Sequence, residues 1–380
     1  MTNLRTGLVS LLAILPVTVV AQTGAGLPDA ATSAAQMTEA AKGFIATLDA
    51  EQRTLVLHDL DIDDRTTWSN LPIIMVRPTG ILVGDMTDAQ RASLHDLLRA
   101  STSSQGYAKL TGIMQLDDLL FEIESARLES APDDEQTRRR EQFIKTRSSG
   151  NYAVAVFGSP GDGNWGWKIA GHHGAANFTV ADGQVGFTPT FVGSSPMVVE
   201  SGRYAGWSVL SHEGSRGIEL MTSLNDAQRK AALLDDEVPD DIFEGPGRRG
   251  SLETYAGLRT DELSVGQMQL LQALVAEYVR NSDFDAAEAQ LALIGADDWE
   301  DLYFAWAGPI DLDGEFYYRV HGPRILIEYN RQNPNHDHAI IRDPQNDYGE
   351  DWLALHYKEH HPSFEEALQL SRERIEAAMP

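Results

Sequence analysis

Two places in the chain concentrate imidazole. His172 and His173 stand between Gly171 and Gly174 in the stretch Gly166 to Phe178, and a second cluster in the last part of the chain carries His336, His338, His356, His360 and His361. These seven are most of the 11 histidines. Imidazole is the commonest protein ligand for metals and the one side chain that titrates near neutrality when unperturbed, so the clustering is the clearest chemical signal in the sequence. The chain has no cysteine, which excludes disulfides, thiolate nucleophiles, iron–sulfur clusters and Cys-ligated zinc. A metal would have to be held by His, Asp, Glu, carbonyl oxygen or water.

Spacing suggests how. Alternate residues of an extended segment face the same side, so His336 and His338 can reach a single ion. His172 and His173 would face opposite ways in a regular strand, making one a ligand and the other its support unless the flanking glycines bend the chain. The expected ion is a divalent metal, zinc first, on His172, His336 and His338, with His173 orienting a ligand or donating to a leaving group. His356, on a helix face with Trp352, is a further metal candidate. Asp347 or Glu213 would take a proton, and Arg319 or Arg342 would hold an anionic substrate end, although Arg319 could instead pair with Glu328. The expected function is a metal-dependent hydrolase of a small or anionic substrate. A copper or non-haem iron oxidoreductase using the same imidazoles is the alternative, with a non-catalytic metal-binding protein the third. His360 and His361 read as a solvated helix end, and His58, His95 and His212 lack such company. Ser194-Ser195-Pro196 has no Gly-x-Ser-x-Gly elbow, and Gly158 to Gly163 lacks the Lys-Ser/Thr of a phosphate loop.

Charge and targeting bound the partners. Arg5 precedes an apolar run from Gly7 to Val20, and Val19-Val20-Ala21 offers a cleavage site, so residues 1–21 read as a secretory signal and 22–380 as one mature domain, periplasmic or secreted. The run is too short to span a bilayer. The net charge is −27, which argues against nucleic acid and against anionic membranes, leaving a small-molecule substrate as the expected partner. A hydrophobic content of 42% is enough for a substantial core.

The elements that must position these residues fall into an α+β pattern. Helical patterns cover Ala30 to Ala50, a start at Thr87 with Gln90 completing a capping box, the charged stretch Ser130 to Arg147, Glu213 to Leu224, Asp226 to Leu234 and Ser264 to Asn281. Two more close the chain near Gly349 to His360 and Ser363 to Ala378. Strand patterns fall at Ile73 to Val83, then in a block from Tyr152 to Phe187 with Asp182-Gly183 as a hairpin turn, and in a second block at Tyr303 to Ala307, Phe316 to His321 and Arg324 to Tyr329. An antiparallel central sheet built from the two blocks, flanked by helices, would bring the histidine clusters together. The Asp-Ala-Gln-Arg wording of Asp88 to Arg91 returns at Asp226 to Arg229, and unequal intervening lengths favour recurrent helix-start chemistry over a structural repeat.

The residues Trp165-x-Trp167, Gly171-His172-His173, Thr188-Pro189-x-Phe191-x-Gly193 and Pro196 form the first half of a wider pattern. Its second half is Tyr318-Arg319, Gly322-Pro323, Ile327-Glu328, His336-x-His338, Arg342-Asp343, Asn346-Asp347-Tyr348-Gly349 and His356-Tyr357. Together they resemble the bacterial and fungal family catalogued as domain of unknown function 3500, over most of the mature chain. Ala170 departs from that family's frequently acidic residue before Gly-His-His. The resemblance implies a repertoire of His, Asp and Arg positions and brings no activity with it.

Overall fold

Four helices of this chain open with the same device. Asp49, Thr87, Asn225 and Ser264 each accept a hydrogen bond from the backbone N–H three residues on, and Gln52, Gln90, Gln228 and Gln267 reach back to the cap residue. Each box satisfies two of the N–H groups that a helix start leaves without a partner. A computed structural model describes residues 30–360 except 236, 298 and 334, and shows what these helices build. The signal-like segment and the helix expected at Ser363 to Ala378 lie outside the described residues. No helix among the described residues is long and apolar enough to cross a membrane.

In chain order the helices are α1 (Ala31–Ala46), α2 (Ala50–Val56), α3 (Asp88–Ser101), α4 (Ser104–Leu128), α5 (Glu135–Ile144), α6 (Ser211–Ser223), α7 (Asp226–Ala232), α8 (Val265–Val279), α9 (Phe284–Ala296) and α10 (Glu350–His360). The strands are β1 (Leu57–His58), β2 (Ile81–Leu82), β3 (Ala153–Gly158), β4 (Trp165–Gly171), β5 (Gly174–Ala181), β6 (Gln184–Gly186), β7 (Thr190–Ser194), β8 (Leu233–Asp235), β9 (Leu258–Arg259), β10 (Tyr303–Ala307), β11 (Phe316–Gly322), β12 (Ile325–Asn333) and β13 (His336–Arg342). They join one sheet in the order β1-β3-β4-β5-β7-β13-β12-β11-β10-β8, with β2, β6 and β9 attached at its margins. The α+β class holds. The sheet is mostly antiparallel, but β1 and β8 run parallel to their neighbours β3 and β10, so it is mixed and not built strictly from two blocks. The strand expected over Ile73 to Val83 shrinks to Ile81–Leu82. His336 and His338, placed by the sequence in a segment following a strand, begin β13 itself in the middle of the sheet.

The shared Asp-Ala-Gln-Arg wording is helix-start chemistry, as read, but a repeat lies elsewhere in the fold. The series α2, β1, β2, α3, β3, β4, β5 recurs as α7, β8, β9, α8, β10, β11, β12 with the same pairings, since β2 and β9 lie antiparallel to β3 and β10 as β1 and β8 lie parallel to them. Even the capping glutamines match: Gln90 Nε2 donates to Gln52 Oε1 at 2.6 Å, and Gln267 Nε2 donates to Gln228 Oε1 at 3.0 Å. The recurrence was hidden for two reasons. The true equivalents are α2 with α7 and α3 with α8, whereas the shared wording links α3 to α7; and the 25-residue α4 and α5 lengthen the first copy, where the second has only the 13-residue α9. The copies join where β7 pairs antiparallel with β13.

The two faces of the sheet differ in chemistry. Val154, Val156, Trp165, Trp167, Ile327 and Tyr318 share the face whose buried cluster includes Phe44, Leu97, Ile113, Leu220 and Leu274 of the helices. The opposite face carries Lys168, Asn177, Arg319, Glu328, Asn330, His338 and Arg342, all buried, and is covered by the loops at 59–80 and 237–257. A small second cluster joins both loops over the seam: Trp68 and Ile242 meet Ala170, Ala175, Phe191, Ile340 and Tyr348. Polar groups buried in this way need partners, and the loops supply them through their backbones. Lys168 Nζ donates to Thr67 O at 2.7 Å and to Asp64 O, while the N–H groups of Phe243 and Glu244 each donate to Glu328 at 2.8 Å.

The paired boxes give a direct test of the duplication's energetic weight. Gln90→Ala removes a cap bond, the Gln52 contact and a bond to Thr47 O, and Gln228→Ala removes a cap bond, the Gln267 contact and a bond to Glu262 O. Each substitution should lower unfolding free energy by about 1–3 kcal/mol in urea titrations. Losses below about 0.3 kcal/mol in both would show that the matched boxes carry no stability.

Candidate metal centre

Sequence dictates a tight turn between β4 and β5, because Gly171 and Gly174 pair directly and leave only His172 and His173 to connect them. His173 adopts φ 62°, a left-handed conformation uncommon for a residue with a Cβ, and such conformations recur at functional sites at a cost of roughly 1–3 kcal/mol. This turn removes the strand alternation, so both rings lie on one side, their centroids 3.7 Å apart. Glycine makes the space: a Cβ on Gly171 would meet the Tyr152 ring at 2.6 Å, and a Cβ on Gly193 would meet His338 at 3.0 Å and His173 at 3.1 Å. Gly193 lies opposite His338 across the β7–β13 seam. The seam therefore presents His336 and His338 to the turn.

His173, His336 and His338 each offer a ring nitrogen within 4.8 Å of the others. His173 Nε2 and His336 Nε2 are 2.9 Å apart, so one of them carries the proton between them. Tetrahedral bonds of about 2.1 Å would set ligand nitrogens about 3.4 Å apart, and the His173–His336 pair, at 2.9 Å, would need to open only slightly to reach it. His338 Nδ1 is 2.8 Å from Asp241 Oδ1. An ionised carboxylate only accepts, so Nδ1 donates to it; the other ring nitrogen, Nε2, is buried with no hydrogen-bond partner. Burial opposes the charge on Asp241, yet the bonds from His338 and from its neighbour's N–H prevail and hold its carboxyl below the usual range. A carboxylate behind the far ring nitrogen is the arrangement that orients a metal-binding imidazole.

His172 is differently engaged. Its Nδ1 is 2.5 Å from Asp117 Oδ1 of α4, and Arg147 places a guanidinium nitrogen 2.6 Å from its Nε2. Tyr152 donates to Asp117 Oδ2 and to the His172 carbonyl. Asp117, His172 and His173 also offer ligand atoms within 4.8 Å of one another, but the Arg147 cation already occupies the remaining lone pair of His172. Of the two adjacent histidines, both metal candidates from sequence, His173 meets His336 and His338, and His172 supports the turn. Burial lowers the pKa of His172 and pushes that of His173 far down, helped by the neighbouring imidazoles and Arg147; the same causes bring His336 to about 3. These rings are neutral at physiological pH, as metal ligands must be. Buried His and Asp groups here could hold a metal ion.

Beside His336, the one partly exposed member of the trio, opens a cavity of about 260 Å³ whose wall includes Leu120, Ile123, Arg127, Glu200 and Asn335. The site therefore has an approach from solvent.

The other candidates from sequence lie elsewhere. Asp347 is fully buried and takes a bond from Arg342 at 2.6 Å, while Arg342 also donates to Glu244 O. This brace sits at the far end of β13, six residues from His336 and about 20 Å away at 3.4 Å per residue. Glu213 is on the helical side, 2.7 Å from Lys109 of α4, which also binds Glu277 of α8. Arg319, on β11, is two strands from β13 and makes no ion pair with Glu328 across the ladder. His356 falls in α10, and its side chain lies outside the described residues. Sequence reasoning missed Asp117, Arg147 and Asp241. Asp117 had a signal, an acid in the apolar stripe of α4; Asp241 and Arg147 come from loop and helix-end positions with no periodicity to expose them.

A family model described as "Protein of unknown function (DUF3500)" matches residues 30–350, and the chain belongs to that family. No curated protein and no solved structure matches the chain.

Two outcomes follow from the geometry. His173→Gly removes a ligand and also the left-handed strain, so it should abolish metal retention while leaving the metal-free protein at least as stable as the parent; a large loss of stability would show the ring to be a packing element. In acid, unfolded His336 takes up its proton near pH 6.5 and folded His336 only near 3. Stability of the metal-free protein, intact above pH 6.5, should therefore fall as pH drops towards 3. His336→Asn should flatten that fall in urea midpoints measured with chelator present, and an unchanged slope would contradict the burial of a neutral ring.

Proposed function

We propose that this protein is an exported metal-dependent hydrolase, with zinc on His173, His336 and His338. The observation that carries the reading is the convergence of three imidazoles, one fixed by a carboxylate and with its other ring nitrogen buried and free of hydrogen bonds, beside a cavity of about 260 Å³. Three histidines with an open fourth position are a catalytic zinc set, and such an ion lowers the pKa of water and polarises a carbonyl or phosphoryl oxygen. This trio contains no carboxylate, which fits zinc better than the two-His-one-carboxylate set of non-haem iron; copper would use the same imidazoles. The cavity favours a substrate-processing site over metal storage. Its wall includes Arg127 and Glu200 as well as His336, suited to a small polar substrate. The acidic charge and the signal-like residues 1–21 support export.

Metal analysis of the purified protein separates the readings, since zinc supports hydrolysis and copper the redox alternative. In zinc competition titrations, His338→Ala and His173→Ala should each abolish tight binding, and Asp241→Asn should weaken it by about 10–100-fold. His172→Ala should retain measurable binding. Equal, complete loss in the His172 variant, with the fold intact, would return it to the ligand set and overturn the assignment made here.

A further inference from the structure

The loop-covered face holds a second anomaly, away from the histidine trio. Tyr317, Arg319 and His321 alternate along β11 on that face. Arg319 is 5% exposed, yet no carboxylate among the described residues lies within ion-pair distance of it, and its Nε has no hydrogen-bond partner. Glu328, directly across the ladder, has its oxygens taken by the N–H groups of Phe243 and Glu244 and by the Tyr317 hydroxyl, at 2.7–2.8 Å. His321 is 6% exposed and its Nδ1 is likewise without a partner. A guanidinium buried without a counter-charge costs several kcal/mol, so a fold that keeps one generally has an anion to meet it.

The duplication supplies an internal control. Arg319 stands three residues before the hairpin glycine Gly322, as Lys168 stands three before Gly171. The covering loop satisfies Lys168 with two carbonyl oxygens. The corresponding loop over the second copy gives Arg319 none. Its neighbour there is the Tyr317 hydroxyl, and Tyr317 also lines a cavity of about 380 Å³ with Phe243, Ala307, Pro239 and Asp240.

We propose that Arg319 and His321 form a binding site for a small ligand bearing an oxyanion, carboxylate or phosphate, on the loop-covered face of β11. The guanidinium fork accepts either group in bidentate fashion, and a neutral imidazole adds one N–H. The site is separate from the histidine trio, and its existence does not depend on the hydrolase reading.

Thermal unfolding of the full mature chain, with inorganic phosphate and with acetate as probes at constant ionic strength, tests the proposal. At least one probe should raise Tm in the parent and equally in His338→Ala, which removes the metal site as the source of the effect; which probe acts identifies the anion. Arg319→Met should abolish that rise while being at least as stable as the parent without anion, because it deletes an uncompensated buried charge. Should Arg319→Met fail to fold, Arg319→Lys provides the second arm, with phosphate or acetate affinity weakened about tenfold for loss of the fork. Neither probe stabilising the parent, or equal stabilisation of parent and Arg319 variants, would overturn the site.

Discussion

The register between β7 and β13 is the constraint on which the centre depends. These strands join the two copies of the duplicated unit, and their alignment sets His338 opposite Gly193 and Ile340 opposite Phe191. Side chains alternate faces along a strand, so a slip of one residue would turn His336 and His338 to the helical side and bring Asp337 to the loops. The native register is held from both faces. Asp337 binds Arg331 at 2.8 Å and the Tyr329 hydroxyl at 2.6 Å on one side, and Ile340 packs with Phe191, Trp68 and Ile242 on the other. A structural salt bridge and a hydrophobic cluster thus fix what the chemistry requires.

From that alignment the rest follows by the need to satisfy buried groups. The β4–β5 turn accepts a left-handed His173 because Gly193 leaves space for its ring and because Asp117, Tyr152 and Arg147 anchor the adjacent His172. Asp241 reaches His338 because its loop is held at Pro239 O by Asn330 and at Phe243 and Glu244 by Glu328. The two copies have diverged in what they place at their hairpins. The first turn carries Gly171-His172-His173-Gly174, the second Gly322-Pro323-Arg324-Ile325, and only the first contributes imidazole. The duplicated frame carries one asymmetric histidine cluster, with imidazoles from both copies.

Much of this was legible in the sequence. The histidine pair, His336-x-His338, the Asp182-Gly183 turn and the capping box at Thr87 depend on local chemistry, and each lies where that chemistry puts it. What escaped were properties of pairing over long distances. β13 reads poorly as a strand because His336, Asp337 and His338 replace the usual apolar alternation, although it lies at the middle of the sheet. Which of His172 and His173 faces His336 and His338 turns on one backbone angle, and Asp347 and Glu213, read from sequence as proton acceptors, are engaged as buried braces away from the trio. Both are polar residues in conspicuous motifs, and only their partners, Arg342 and Lys109, reveal a structural use. The duplication left almost no common wording because what it preserves is capping geometry and strand pairing.

X-ray absorption at the zinc edge, on the mature protein loaded with one equivalent of zinc, tests the convergence most directly. The account predicts a single ion with three imidazole nitrogens and one oxygen ligand at about 2.0–2.1 Å. Zinc that does not remain bound through dialysis, or a shell dominated by carboxylate oxygen, would contradict it.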